Sequence, residues 1–224
     1  MWRIPLDGAE QTLAPSLDML SADESARATR FFFERDRRSF IHCRSTLRIL
    51  LGRYLRTAPD RLAFCYNGFG KPELADLPPM FPLRFNVSHS GDWALIVMTL
   101  EHRIGVDIEQ VRQLEHIDDL ARNTFSKYEL EVYQHLPDEQ RTQAFFHAWT
   151  RKEAFIKACG EGLSRPLTEF DVSLAPQDPV QLLRVAGDRT AARRWTLSAL
   201  EPAVGYVGAV AVESPDTRIQ CFVE

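Results

Sequence analysis

Between residues 103 and 109 the chain alternates strictly, with Ile104, Val106 and Ile108 on one side and Gly105, Asp107 and Glu109 on the other. A period of two is the signature of a half-buried strand, so both carboxylates project from one face. Over 138–159 the apolar positions recur at helical spacing instead, and Gly160 supplies the C-terminal stop. That helix sets Glu153 and Lys157 one turn apart on a single face. Taken alone, the pair is equally the pattern of an ordinary surface ion pair, worth about 0.3–0.5 kcal/mol.

The flanking patterns place these two elements in a fold. Ser21-Ala22-Asp23-Glu24 has the form of a capping box opening a helix, and a second helix over 36–55 carries Phe40, Leu47, Leu50, Leu51, Tyr54 and Leu55. Strands are predicted over 62–66, 83–87 and 93–100, the first two separated by the turn-rich Asn67-Gly68-Phe69-Gly70-Lys71-Pro72. Ser126-Lys127-Tyr128-Glu129 is another capping box, leading a helix to residue 136. The tail reads as strands over 170–174, 180–185, 195–200, 206–212 and 219–223. Pro78-Pro79 with Pro82, and Pro176 with Pro179, mark turns rather than interdomain linkers. Helices and strands are grouped rather than strictly alternating, which predicts an α+β architecture.

Composition narrows the function classes. With 224 residues, 45% hydrophobic and 26% charged, the chain is long enough for one large or two small globular units. A net charge of -4 argues against nucleic-acid binding, which draws on a clustered basic excess. The four cysteines, Cys43, Cys65, Cys159 and Cys221, are scattered without metal spacing and read as free thiols in a reducing compartment. Trp2-Arg3-Ile4-Pro5-Leu6-Asp7 after Met1 lacks an apolar leader, and no segment approaches the roughly 18 apolar residues of a membrane span. A soluble, cytoplasmic protein is therefore expected, with no membrane partner.

Two carboxylates side by side on a strand repel one another by about 4 kcal/mol at roughly 4 Å and an effective dielectric near 20. A divalent cation among them removes the penalty, and an all-oxygen set suits Mg²⁺, which is held by one or two carboxylates together with phosphate and water. The competing explanation is the solvated face of an edge strand. Asn86-Val87-Ser88-His89-Ser90-Gly91 ends a strand with donors suited to an anion, although such residues are also ordinary turn formers. Gly70-Lys71-Pro72 presents a lysine on a stiff turn, and Arg27, Arg44 and Arg48 lie on helices where a polar face is the plain explanation. Neither a nucleophilic triad nor a P-loop is present, since Gly68-Phe69-Gly70-Lys71 lacks the spacing and the following hydroxyl residue.

Taken in order, these elements resemble the 4'-phosphopantetheinyl transferases, in particular the large, two-lobed Sfp type. Gly105-Val106-Asp107-Ile108-Glu109 and the stretch from Trp149 to Lys157, with Lys152 and Glu153 in place, match the family's most specific motifs. Phe85-Asn86-Val87-Ser88-His89-Ser90-Gly91, Gly70-Lys71-Pro72, and Gly160-Glu161-Gly162-Leu163 with Pro166-Leu167 are similar to further family segments, so that the resemblance runs from Arg27 to Asp171.

The resemblance implies transfer of the 4'-phosphopantetheine arm of coenzyme A to a serine of an acyl or peptidyl carrier protein, releasing adenosine 3',5'-bisphosphate. It implies two similar α+β lobes in a pseudo-two-fold arrangement, residues 1–101 and 102–224, with coenzyme A in the cleft between them. Asp107, Glu109 and Glu153 would hold Mg²⁺, with Asp107, Glu153 and Lys157 as the catalytic set and Lys157 on the pyrophosphate. Ser88 and His89 would hold the coenzyme's 3'-phosphate region, with Lys71, Pro72, Arg27 and Arg44 beside it and Lys152 in support. The carrier would meet a local apolar or basic patch, by analogy the surface near 124–133, and the enzyme would act as a monomer. Another Mg²⁺-dependent phosphohydrolase or nucleotidyl transferase, or a non-catalytic coenzyme A or carrier-binding module, are the competing readings.

Overall fold

The computed structural model describes residues 1–6, 17–75 and 82–223. The turn expected at Pro78-Pro79 lies outside the described residues. Before residue 101 the described strands and α-helices are β1 (Trp2–Pro5), α1 (Ala22–Ala28), α2 (Glu34–Leu55), β2 (Phe64–Tyr66), β3 (Pro72–Leu74), β4 (Leu83–Ser90) and β5 (Trp93–Leu100). Then follow β6 (Ile104–Gln110), α3 (Ile117–Thr124), α4 (Lys127–Gln134) and α5 (Asp138–Cys159). The chain finishes with β7 (Phe170–Val172), β8 (Leu182–Val185), α6 (Arg189–Ala192), β9 (Thr196–Leu200), β10 (Tyr206–Val212) and β11 (Phe222–Val223).

The architecture is α+β, and burial shows how its layers stack. One sheet has the strand order β11-β1-β5-β4 and another β6-β10-β9, with two small hairpins, β2-β3 and β7-β8, outside them. The 22-residue helix α2 covers the first sheet, packing Leu47, Leu50 and Leu51 onto Ile4, Phe85 and Ile96. Helix α5, also 22 residues, covers the second, its Ala154 and Phe155 packing with Val207, Ala209 and Ala211. A third cluster fills the space between the sheets, with Leu95 and Val97 from β5 meeting Ile104, Val106, Ile108 and Val210. Because β5 is covered on both faces, its apolar residues run almost without interruption.

Strand β6 forms the edge of its sheet, and its outward main-chain groups need partners that no neighbouring ladder supplies. Side chains of β4 provide them: Asn86 Oδ1 accepts from Val106 N–H at 2.9 Å and Ser90 Oγ from Gln110 N–H at 3.1 Å. Asn86, Ser88 and Ser90 are two residues apart, so all three point to the same side of β4. This polar seam joins the two sheets directly beneath the carboxylates.

The expected helices match the observed ones closely where a side-chain cap or a glycine stop marks the boundary, as at Ser126 and Gly160, whose φ of 75° only glycine adopts without strain. Helix α3 carries no such signal, since its N-cap is His116 in a left-handed conformation with no side-chain cap bond. The strand expected over 219–223 shrinks to Phe222–Val223, and the one over 62–66 to Phe64–Tyr66. Strand β1 is an addition; it pairs with β5 on one side and in parallel with β11 on the other, so the end of the chain returns to the first sheet.

Candidate active site

Glycine at position 105 decides how the site is assembled. A Cβ there would lie 2.1 Å from the Ala154 carbonyl oxygen and 2.3 Å from the Ala158 nitrogen, so only glycine lets the α5 backbone rest on β6. The opposing strand contributes small residues as well, with Ala211 paired to Gly105 and Ala209 to Asp107. Glu153 and Lys157 flank this contact, each one position before an alanine that touches it. Lys157 of α5 and Asp107 of β6 therefore come within 2.6 Å of one another.

Asp107 is buried, and its Oδ1 is held from two directions, by Lys157 Nζ at 2.6 Å and Ser88 Oγ at 2.9 Å. Lys157 Nζ also donates to Ser88 Oγ at 3.0 Å, which closes a three-membered junction. Glu109 is half-buried, and its Oε2 accepts from Ser90 Oγ at 3.0 Å. The remaining oxygens are the informative ones. Asp107 Oδ2 and Glu153 Oε1 are both buried without a hydrogen-bond partner.

The electrostatics bind the three carboxylates into one group. Burial raises the pKa of Asp107, against the opposing pull of Lys157. Glu109 is raised by burial and by the neighbouring Asp107. For Glu153 the causes are burial, then Asp107, with Lys157 opposing and Glu109 adding. Each of the three thus gains from positive charge, and an unpartnered buried oxygen on two of them is where a hard cation fits. Among the described residues no three such side chains are already gathered into a cage.

The residues expected near the coenzyme separate into two groups. Arg27 is exposed and lines a pocket of about 600 Å³ with Asp23, Ala26, Arg30, Phe31 and Tyr66, stacking its guanidinium 5.3 Å over Phe40. His89 is exposed overall, yet its ring is partly desolvated and lies in the field of Lys157 and Arg27, which together hold its pKa below the ordinary value. Arg44, by contrast, is buried against Glu24, with Nε 2.7 Å from Oε1, and Arg48 takes the other oxygen at 2.7 Å. Burial would raise the Glu24 pKa, but the two guanidiniums hold it down. Ser88 is spent on Asp107, as described. Lys71 Nζ donates to the main-chain carbonyls of Lys157 and Ile104 at 2.6 and 3.1 Å, and Pro72 beside it starts β3.

Lys152 is wholly buried and forms an ion pair with equally buried Glu129 at 2.7 Å, while donating to the Leu167 and Phe170 carbonyls. All three ammonium protons are therefore used in holding the α4–β7 side of α5. Sequence reasoning named Asn86 and Ser90 only within an anion-binding or turn segment, Asn67 as a turn residue and Glu24 as a capping residue, and it did not name Arg30. The i, i+2, i+4 spacing of Asn86, Ser88 and Ser90 was the available signal, but it does not say which strand stands opposite.

Comparison with known proteins identifies the family. The 4'-phosphopantetheinyl transferase superfamily model matches residues 103–211, and the model for the N-terminal part of 4'-phosphopantetheinyl transferase matches 7–101. The chain is 41% identical over 212 residues to the 4'-phosphopantetheinyl transferase HetI from Nostoc sp., covering 95% of this chain and 86% of that one. It is 30% identical over 166 residues to the 4'-phosphopantetheinyl transferase Sfp from Bacillus subtilis, covering 74% and 71%. Among solved structures, the Chronobacterium ammoniagenes ACPS-CoA complex is 21% identical with a TM-score of 0.38, covering 52% of this chain and 98% of that one. With both family models matched and relatives at 41% and 30% identity, the chain belongs to the 4'-phosphopantetheinyl transferase family.

Proposed function

We propose that the protein transfers the 4'-phosphopantetheine arm of coenzyme A to a serine of an acyl or peptidyl carrier protein in a Mg²⁺-dependent reaction. The observation that supports this most is the convergence of Asp107, Glu109, Glu153 and Lys157 where α5 rests on Gly105. Three carboxylates with one ammonium leave an excess of negative charge that a divalent cation offsets, and pyrophosphate oxygens are the usual further ligands of such an ion.

Asp107, Glu109 and Glu153 would hold the ion, which would neutralise the charge that develops on the pyrophosphate. In the reaction the serine oxygen forms a bond to the phosphorus on the pantetheine side, and the bond from that phosphorus to the bridging oxygen breaks. Adenosine 3',5'-bisphosphate carries the electron pair away. Lys157, whose ammonium lies on Asp107, would neutralise the departing phosphate. Glu153, whose carboxylate is made more basic by burial and by Asp107, takes the serine proton directly or through water. Arg27, which lines the pocket beside α1, and His89, which lies in the field of Arg27, are the groups for the coenzyme's 3'-phosphate. Arg44 serves there only indirectly, by fixing α1 through Glu24.

The carrier's serine must arrive at Glu153, and the exposed Tyr128 with Lys127 on α4 is the surface offered to it by analogy. No described helix is long and apolar enough to cross a membrane. A monomer acting in the cytoplasm completes the reading.

Incubating the purified protein with coenzyme A, Mg²⁺ and an apo carrier protein tests it. The expected result is a carrier heavier by one phosphopantetheine, with equimolar adenosine 3',5'-bisphosphate. Bisphosphate release without carrier modification identifies a hydrolase instead. Near-normal turnover by Glu153→Gln at saturating Mg²⁺ removes Glu153 as the base.

A further inference from the structure

The tip of the β2–β3 hairpin makes contacts that phosphate binding does not explain. Its turn is set internally: Asn67 Oδ1 accepts from Phe69 N–H and Lys71 N–H at 2.9 and 3.0 Å, and Gly70 adopts a φ of 81°. The side chains of Asn67 and Lys71 then cross to the other sheet's helix. Asn67 Nδ2 donates to the Gly160 carbonyl at 2.8 Å, and Lys71 Nζ to the Lys157 carbonyl at 2.6 Å.

Those carbonyls lie at the end of α5, where a helix runs out of its own donors. The terminal bond of α5 runs from Gly160 N–H to the Ile156 carbonyl, and the left-handed turn at Gly160 then ends the helix. Lys71 supplies the donor that the next residue no longer offers, and places a cation at the negative end of the helix dipole. Its second bond, to the Ile104 carbonyl, fixes the strand residue that precedes Gly105. One ammonium thus ties α5 to β6 at the point where Lys157 leaves the helix toward Asp107. Burial lowers the Lys71 pKa to about 8, a cost that an exposed turn lysine does not bear.

We propose that Asn67 and Lys71 form a latch between the lobes, acting as positioning residues that hold the last turn of α5, and with it Lys157, in register with β6. The latch rests on the role given to Lys157 above. It reassigns the Gly70-Lys71-Pro72 lysine from touching coenzyme phosphate to shaping the residue that does.

Lys71→Met keeps the chain length and removes the donors. Asn67→Asp keeps the turn-forming oxygen and replaces the donor facing Gly160 with an acceptor. For both, the latch predicts a kcat about tenfold lower, with affinity for adenosine 3',5'-bisphosphate by calorimetry within about twofold of the parent. Amide exchange at 157–160 accelerates in the same variants. A bisphosphate affinity lowered about tenfold with unchanged exchange makes Lys71 a phosphate contact and overturns the proposal. Unchanged kcat with accelerated exchange overturns it too, because the last turn would then not govern Lys157. Should Lys71→Met fail to fold, Asn67→Asp decides on the same three readouts. Failure of the parent protein itself to modify a carrier sinks the functional reading and leaves the exchange result standing.

Discussion

Lys157 and Asp107 are joined at 2.6 Å across the seam between α5 and β6, through Asp107 Oδ1, which leaves the buried Oδ2 without a partner. The ammonium therefore stands in for the cation. Removing it as Lys157→Ala should have opposite effects on binding and on chemistry. Without coenzyme A, Mn²⁺ affinity measured by paramagnetic resonance should rise about threefold or more, because Asp107 and Glu153 lose their counter-charge. Turnover should fall about 100-fold or more with the loss of phosphate stabilisation. Weaker Mn²⁺ binding in this variant contradicts the competition.

Ser88 and Ser90 each hold one oxygen of Asp107 and Glu109 in place and leave the other free. Orienting groups behind metal ligands are worth about 10-fold to 100-fold in affinity or activity. The variants Ser88→Ala and Ser90→Ala should each weaken Mn²⁺ binding within that range, with little change in thermal stability. If Ser88→Ala instead impairs only adenosine 3',5'-bisphosphate binding, the serine belongs to the 3'-phosphate site.

Gly105→Ala should be among the most damaging small substitutions in the chain. Its Cβ meets main-chain atoms of α5 at 2.1 and 2.3 Å, and the backbone there cannot rotate aside. Overpacking of this kind costs about 1–3 kcal/mol. Displacing Glu153 and Lys157 by about 1 Å costs roughly 100-fold in rate. Denaturant unfolding and turnover should both show the loss; wild-type turnover means that the contact does not set the catalytic geometry.

Lys152, adjacent to Glu153 in sequence, should behave in the opposite way. Its pairing with Glu129 is fully buried and all its donors are satisfied. Lys152→Met leaves Glu129 buried without its cation, a loss of about 3–5 kcal/mol. The kcat of the folded fraction should stay within about threefold of the parent. An unchanged melting temperature with abolished turnover moves Lys152 to the reaction itself.

His89 carries the pH dependence that the site makes readable. Desolvation together with Lys157 and Arg27 lowers its pKa below 6.5, with Asp36 opposing. The unfolded chain therefore binds the proton more readily than the native one. Stability from this residue is fully present above pH 6.5 and is lost as the pH falls toward the folded value. Adenosine 3',5'-bisphosphate beside the ring should raise the pKa, which the ring proton shifts report by NMR. A pKa insensitive to the bisphosphate places His89 away from the coenzyme phosphate.

The local pattern determined much of this protein. The period of β6 put Asp107 and Glu109 on one face, and the capping box at Ser126 and the stop at Gly160 bounded α4 and α5, because backbone conformation and capping are properties of neighbouring residues. The motifs pointed to the family for the same reason, since the carboxylates and Lys157 are each spaced by one element's own geometry. Partnership was decided only in three dimensions. Arg44, Lys71 and Ser88 look alike as anion-binding candidates along the chain, yet the fold gives one to Glu24, one to the end of α5 and one to Asp107. A side chain's role depends on what is packed opposite it, and those groups lie 20, 86 and 19 residues away in sequence.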